Sequence, residues 1–323
     1  MAANVVDAIG VVGSVFGIIS FFQDQFPGDP SQGATVQIKI GNPGDDDGAS
    51  LGGQISGVYG WNINNNYLGQ SKGGKVDDSD VGTFTIDQFT AGTRGDFIVV
   101  SADDDAACIS WITVAEYDGT TGGAWTGDVG YNCGHHWYHQ TEPAGTLKDS
   151  MDPYIPMCSW LDGDHTGNLT DAALKLRVLA YGSGIQETLD NNKVCDATIW
   201  GPDNGPINAA PSGKRSASNK PRLPWMEEVL IVSNLSAKHT AESLCFSATS
   251  WGPDFVSIDG KFCDMATKTL SPLCSTENVD GCVNVDSGGK TVTIMRTAGP
   301  NRAVDVRHKS YARVKNWTAT SKA

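Results

Sequence analysis

Apolar and polar positions alternate along most of this chain, and that period-two rhythm predicts strands. Thr35-Val36-Gln37-Ile38-Lys39-Ile40 shows it most clearly. Gln54–Trp61, Thr83–Phe89, Asp96–Ser101, Cys108–Tyr117 and Leu174–Ala180 read the same way. Turn-rich pieces such as Gly73-Gly74 and Asp77-Asp78-Ser79-Asp80 separate them. Toward the rear, Trp225–Val232, Val256–Ile258, Lys261–Cys263, Thr291–Met295 and Ala303–Val306 predict further strands, with a short helix around Thr240–Cys245. Strands at this spacing predict a mainly β chain: an antiparallel β-sandwich or jelly roll over residues 33–200 and a smaller β-rich domain over 224–323. Residues 201–223 read as a linker by composition. Its Lys214-Arg215 pair is a candidate site for a secretory-pathway processing protease.

One stretch breaks the rhythm. Val5–Phe22 is the only long apolar run, interrupted by Asp7 alone, and predicts a glycine-rich α-helix within residues 1–26. Pro27, Gly28 and Pro30 end it. On a helix Gly10, Gly13 and Gly17 share a face, and Gly10 with Ser14 and Gly13 with Gly17 form two small-xxx-small pairs. Each glycine costs a helix about 1 kcal/mol relative to alanine, so three on one face point to close packing against another helix or entry into lipid. The preceding residues carry no basic n-region, and no A-x-A site follows, unlike a cleaved signal peptide. The run is also marginal for a full membrane span.

The net charge of −14 makes nucleic acid an unsuitable partner. The charge is split: residues 1–212 carry 8 basic against 27 acidic side chains, a net of −19, while 213–323 carry a net of +5. Eight cysteines divide evenly, with Cys108, Cys133, Cys158 and Cys195 in front and Cys245, Cys263, Cys274 and Cys282 behind. No CxxC occurs, so they predict two disulfides per domain and an oxidising compartment, with three pairings open in each set. Sequons at Asn168, Asn234 and Asn316 are compatible with export.

Candidate chemistry is sparse. His135, His136 and His139 cluster with Cys133, but in a stretch of strand and turn composition, where Cys133 reads better as half of a disulfide. Asp162-Gly163-Asp164-His165-Thr166-Gly167 starts like a calcium loop yet has Ala173 where the twelfth-position acid belongs, so it reads as an acidic turn. Asp45–Asp47 and Asp103–Asp105 read as solvated loops. There is no G-x-S-x-G, and nothing singles out a carboxylate pair. Trp125, Trp137 and Trp160 could stack on sugars, although their place beside cysteines favours packing against disulfides.

The pattern C-I-x-W from Cys108, W-T-G-D-x-G-x-x-C-G-x-x-W-Y from Trp125 and C-x-W-x-D-G-D from Cys158 resembles a family of uncharacterised filamentous-fungal proteins. So do S-A-x-x-x-A-E-x-L-C over Ser236–Cys245 and the Gly252–Thr269 stretch. The resemblance touches most of the chain, implies a fungal origin and export, and transfers no activity and no catalytic residue. The expectation is a non-enzymatic, extracellular or cell-surface protein without cofactor or metal. It assembles with itself through its N-terminal helices into a filament, tube or ring. The alternatives are a membrane-active pore former inserting that helix, and a cell-wall carbohydrate-binding protein.

Overall fold

The computed structural model describes residues 32–44, 50–145, 152–207, 222–286, 288–295 and 308–318. The predicted N-terminal helix with Gly10, Gly13, Ser14 and Gly17, the Lys214-Arg215 pair, and the expected strand Ala303–Val306 lie outside them. The chain divides into two compact units, with the boundary in the segment after residue 207.

In the front unit the strands are β1 (Thr35–Ile40), β2 (Gly53–Trp61), β3 (Tyr67–Val76), β4 (Val81–Thr85), β5 (Asp87–Gln88), β6 (Phe97–Ala102), β7 (Ala107–Ala115) and β8 (Thr121–Thr126). Helix α1 (Asp128–Cys133) follows, then β9 (Trp137–Tyr138), β10 (Cys158–Leu161), β11 (Ala173–Arg177), α2 (Ile185–Asp190) and β12 (Thr198–Gly201). They form two six-stranded antiparallel sheets. One runs β4-β1-β7-β10-β9 with β8 also on β7, and the other β12-β11-β6-β2-β3-β5. Trp125 of β8 donates from Nε1 to Thr198 Oγ1 of β12 at 3.1 Å, and its ring lies 6.1 Å from that of Trp200, so the sheets meet there. Cys108–Cys158 staples β7 to β10, and Cys133–Cys195 ties α1 to the turn before β12.

Three expectations need correction here. Thr83–Phe89 is two strands: at the fully buried Ile86 the chain leaves β4, paired with β1, and enters β5, paired with β3 in the other sheet. Gly73-Gly74 is no turn but the middle of β3. A Cβ on Gly73 would sit 1.9 Å from Ile55 O, so the glycine permits the close approach of β2. Leu174–Ala180 stops being strand at Arg177 and closes into a single 3-10 turn, Val178–Tyr181, because the Tyr181 hydroxyl is pulled onto Val194 O and Thr198 Oγ1. The stretch read as linker also contributes structure, since Gly201 belongs to β12 and Ile207 packs on Trp61 and Val99.

The rear unit opens with α3 (Pro224–Glu228), then β13 (Val229–Ser233), α4 (Ala241–Phe246), β14 (Asp254–Val256), β15 (Lys261–Asp264), β16 (Thr269–Pro272), β17 (Val283–Val285), β18 (Thr291–Ile294), β19 (His308–Ser310) and β20 (Arg313–Trp317). The expected strand over Trp225–Val232 is therefore half helix: Pro224 takes the first helical position, where its missing N–H costs nothing. Thr240 caps α4, accepting the Ser243 N–H at 3.1 Å. One sheet runs β16-β15-β14-β13-β20 and a second β17-β18-β19. β13 is parallel to both of its neighbours, so the smaller β-rich unit is built on a mixed sheet. Leu230, Val256, Phe262, Val283, Val292 and Tyr311 form the apolar cluster joining the two sheets. Each such side chain contributes about 1.5–3 kcal/mol by leaving water. Cys245–Cys263 and Cys274–Cys282 close within this unit.

Candidate functional site

The front unit carries a graded row of rings on the face and edge of its second sheet. β2 ends on Trp61, the loop Asn62–Asn66 turns the chain, and β3 starts on Tyr67. Asn62 holds that loop, its Oδ1 accepting the N–H of Asn64 at 3.0 Å and of Asn66 at 2.9 Å, while Asn65 takes the left-handed conformation. Half-buried Tyr59 lies 6.3 Å from the buried Trp61 ring, and from Trp61 the centroids step outward, to Tyr67 at 5.4 Å and on to Phe89 at 5.7 Å. Exposure climbs along the row, from 2% at Trp61 through 39% at Tyr67 to 78% at Phe89. The buried end is braced by Lys175 of β11, whose Nζ stands 4.3 Å from the Trp61 ring centroid and donates to Asn65 Oδ1 at 2.6 Å and Ile207 O at 3.2 Å. Burial lowers the pKa of that amine. The Tyr67 hydroxyl donates to Gln70 Oε1 at 2.9 Å, and burial, then the charge of Tyr59, raises its pKa.

Chemically, the outer end offers an uncovered ring face beside a loop of exposed amides. Rings of this kind take the C–H face of a pyranose, and amides exchange hydrogen bonds with its hydroxyls. The sequence held a signal for Phe89. Along β4 and β5 the inward positions are Phe84, Ile86 and Gln88, so parity turns the next residue, Phe89, outward.

The residues singled out from sequence fall elsewhere. Trp125, Trp137 and Trp160 are buried. The three histidines do not converge: His135 stacks 4.1 Å from Trp200 with Nδ1 3.0 Å from Asp171 Oδ2, whereas buried His139 has Nδ1 2.9 Å from Met157 Sδ. Part of that stretch is helix α1, a departure from the strand-and-turn expectation, and Cys133 is bonded to Cys195. Among the described residues no group of three or more His, Cys, Asp or Glu is arranged around a common metal position. Asn168, Asn234 and Asn316 are all exposed. The latter two sit together on the rear sheet, where Asn316 faces Val232 across β13 and β20 and Asn234 N donates to Trp317 O.

Two other groupings carry no reaction. Lys268, its pKa lowered to about 8 by burial and then by the Arg222 charge, donates to Ser250 O at 2.7 Å and to Ser250 Oγ. The buried Ser250 hydroxyl is itself committed to Leu244 O at 2.6 Å, so the pair caps α4 and presents no nucleophile. A cleft of about 420 Å³ beside α2 is lined by Arg177, Leu179, Glu187, Thr188, Asn191 and Lys193, without a nucleophile paired to a base. No known family model matches the chain, and a search of curated proteins found no match.

Proposed function

We propose that this is a non-enzymatic, exported protein whose front domain, its two sheets stacked as a sandwich, binds cell-wall glycan through Phe89, Tyr67 and the Asn62–Asn66 loop. The observation that carries the reading is the 78% exposure of Phe89 next to an amide-rich loop. Four disulfides support an extracellular or otherwise oxidising environment. Sedimentation with insoluble chitin, β-glucan and cellulose, together with a glycan array, tests it. The full chain is expected to be retained on at least one of these, and Phe89→Ala to weaken retention by about fivefold or more, in line with the worth of an aromatic contact. Equal retention of the wild type, Phe89→Ala and Tyr67→Ala sinks the idea.

A second reading, self-assembly into a filament, tube or ring, is favoured by the Gly10, Gly13, Ser14 and Gly17 face in residues 1–26. Here the partner is the chain itself, and a bilayer if the same helix inserts. Gly13→Leu is expected to abolish particles seen by electron microscopy of the full-length protein. Dye leakage from liposomes that the same change abolishes marks the membrane-active form. Particles unchanged by removal of residues 1–26 rule out both forms.

A further inference from the structure

The rings on the second sheet do not make a platform. The planes of Tyr67 and Phe89 are inclined by 65°, those of Trp61 and Tyr67 by 60°, and those of Tyr59 and Trp61 by 49°. Of these four rings Phe89 alone is more than half exposed. A crystalline polysaccharide presents a flat face of sugars, and a protein lies along it only with several exposed rings in one plane. Rings inclined this steeply make a corner instead, with room for one sugar against Phe89 and the edge of Tyr67 beside it.

Polar groups stand next to that corner. β5 is the edge strand of its sheet, its Asp87 pairs with Gln70 of β3, and the Phe89 N–H continues the ladder onto Leu68 O at 2.9 Å. Residues directly opposed across a strand pair share a face, as do residues two apart along one strand. Gln70, Asp87 and Phe89 therefore project together on the outer side, all three exposed, while Gln88 between the last two is buried. The Tyr67 hydroxyl donates to Gln70 Oε1 at 2.9 Å, which orients the amide and leaves its NH2 group as the donor for a ligand. The Asp87 carboxylate offers acceptors only, and it has no ion pair among the described residues. A donor and an acceptor side by side match two neighbouring hydroxyls of a pyranose, one accepting and the other donating, while its C–H face covers the ring. We propose, resting on the glycan reading of these rings, that Phe89, Gln70 and Asp87 bind one sugar unit of an isolated, solvated glycan chain and not the face of a crystalline polysaccharide. A single exposed ring makes a weak, readily reversible site, so a short soluble oligosaccharide competes with the polymer for it.

The test uses the full chain, with chitohexaose, cellohexaose and laminarihexaose as probes. One of them is expected to bind in calorimetric titration and, at millimolar concentration, to release the protein from the polymer of the same sugar. Asp87→Asn and Gln70→Ala, both at exposed positions, are each expected to weaken that hexasaccharide about fivefold or more, with the unfolding midpoint unchanged. Retention that Phe89→Ala weakens but that no hexasaccharide competes with overturns the isolated-chain form and leaves the glycan reading standing. Unchanged hexasaccharide affinity in both Asp87→Asn and Gln70→Ala overturns the two polar contacts, again without touching that reading. No retention on any polymer and no heat from any hexasaccharide removes both.

Discussion

Replacing Asp254 with alanine is expected to unfold the rear domain at physiological temperature while leaving the front domain's transition in place. Asp254 is 1% exposed and collects four donors: Arg222 Nη1 at 2.7 Å, Lys309 Nζ at 2.9 Å, the Tyr311 hydroxyl at 2.7 Å and Met265 N at 2.8 Å. The donors respond differently to its loss. Lys309 has a second acid, Asp264, at 2.6 Å, and is a third exposed, so it keeps a partner. The Arg222 side chain is only 7% exposed and keeps little beyond a long 3.5 Å contact with Gly252 O. Stranding one member of a buried pair costs about 3–5 kcal/mol. Small domains lose about 4–8 °C of midpoint per kcal/mol, so a fall of about 12 °C or more is expected. Calorimetry measures it, and hydrogen exchange should place the loss in β13 and β14. The paired change Asp254→Leu with Arg222→Met is expected to recover much of the loss, since apolar replacement of a whole buried pair is often neutral. A single-variant cost under about 1 kcal/mol would mean that water already reaches Arg222.

The second large effect concerns Cys108–Cys158. Converting both residues to alanine is expected to cost the front domain about 4 kcal/mol, because the bridge closes a loop of 50 residues. The same change at Cys274–Cys282, with a separation of 8, is expected to cost about 2.5 kcal/mol by the same relation. Denaturant unfolding of the two double variants beside wild type gives the comparison. An equal or reversed order would show that packing around the bridge, rather than chain entropy, sets its worth. That outcome has a structural basis, since both sulfurs of the longer bridge are buried between β7 and β10.

How much of this could be read beforehand depended on whether local pattern and tertiary demand agreed. β1 falls at Thr35–Ile40 as expected because its alternation matches a strand with neighbours on both edges. α1 has no signature in the local pattern, because Asp128-Val129-Gly130-Tyr131-Asn132-Cys133 has little helix propensity. It winds because Gly134 supplies a left-handed stop and Gly130 lets Ser159 approach within a distance that a Cβ would forbid. The parallel pairing of β13 was in fact written in Val229-Leu230-Ile231-Val232, an unbroken apolar run of the kind a central parallel strand needs. The bonding of eight cysteines within their own halves followed from their spacing, but the pairing did not. The ring row was hidden for another reason. Tyr59, Trp61 and Tyr67 look alike in sequence, and only the sheet edge and the Lys175 brace decide which ring stays in water.

β13 also sets an order of events as the polypeptide emerges from the ribosome. It is made early in the rear domain, yet the partner on one of its flanks, β20, pairs Arg313 with Val229 and is translated some eighty residues later. Until then a strand of valine, leucine and isoleucine waits with an open flank, the state in which nascent chains stick to one another. Slowing translation between β13 and β20 is therefore expected to lower the yield of folded product.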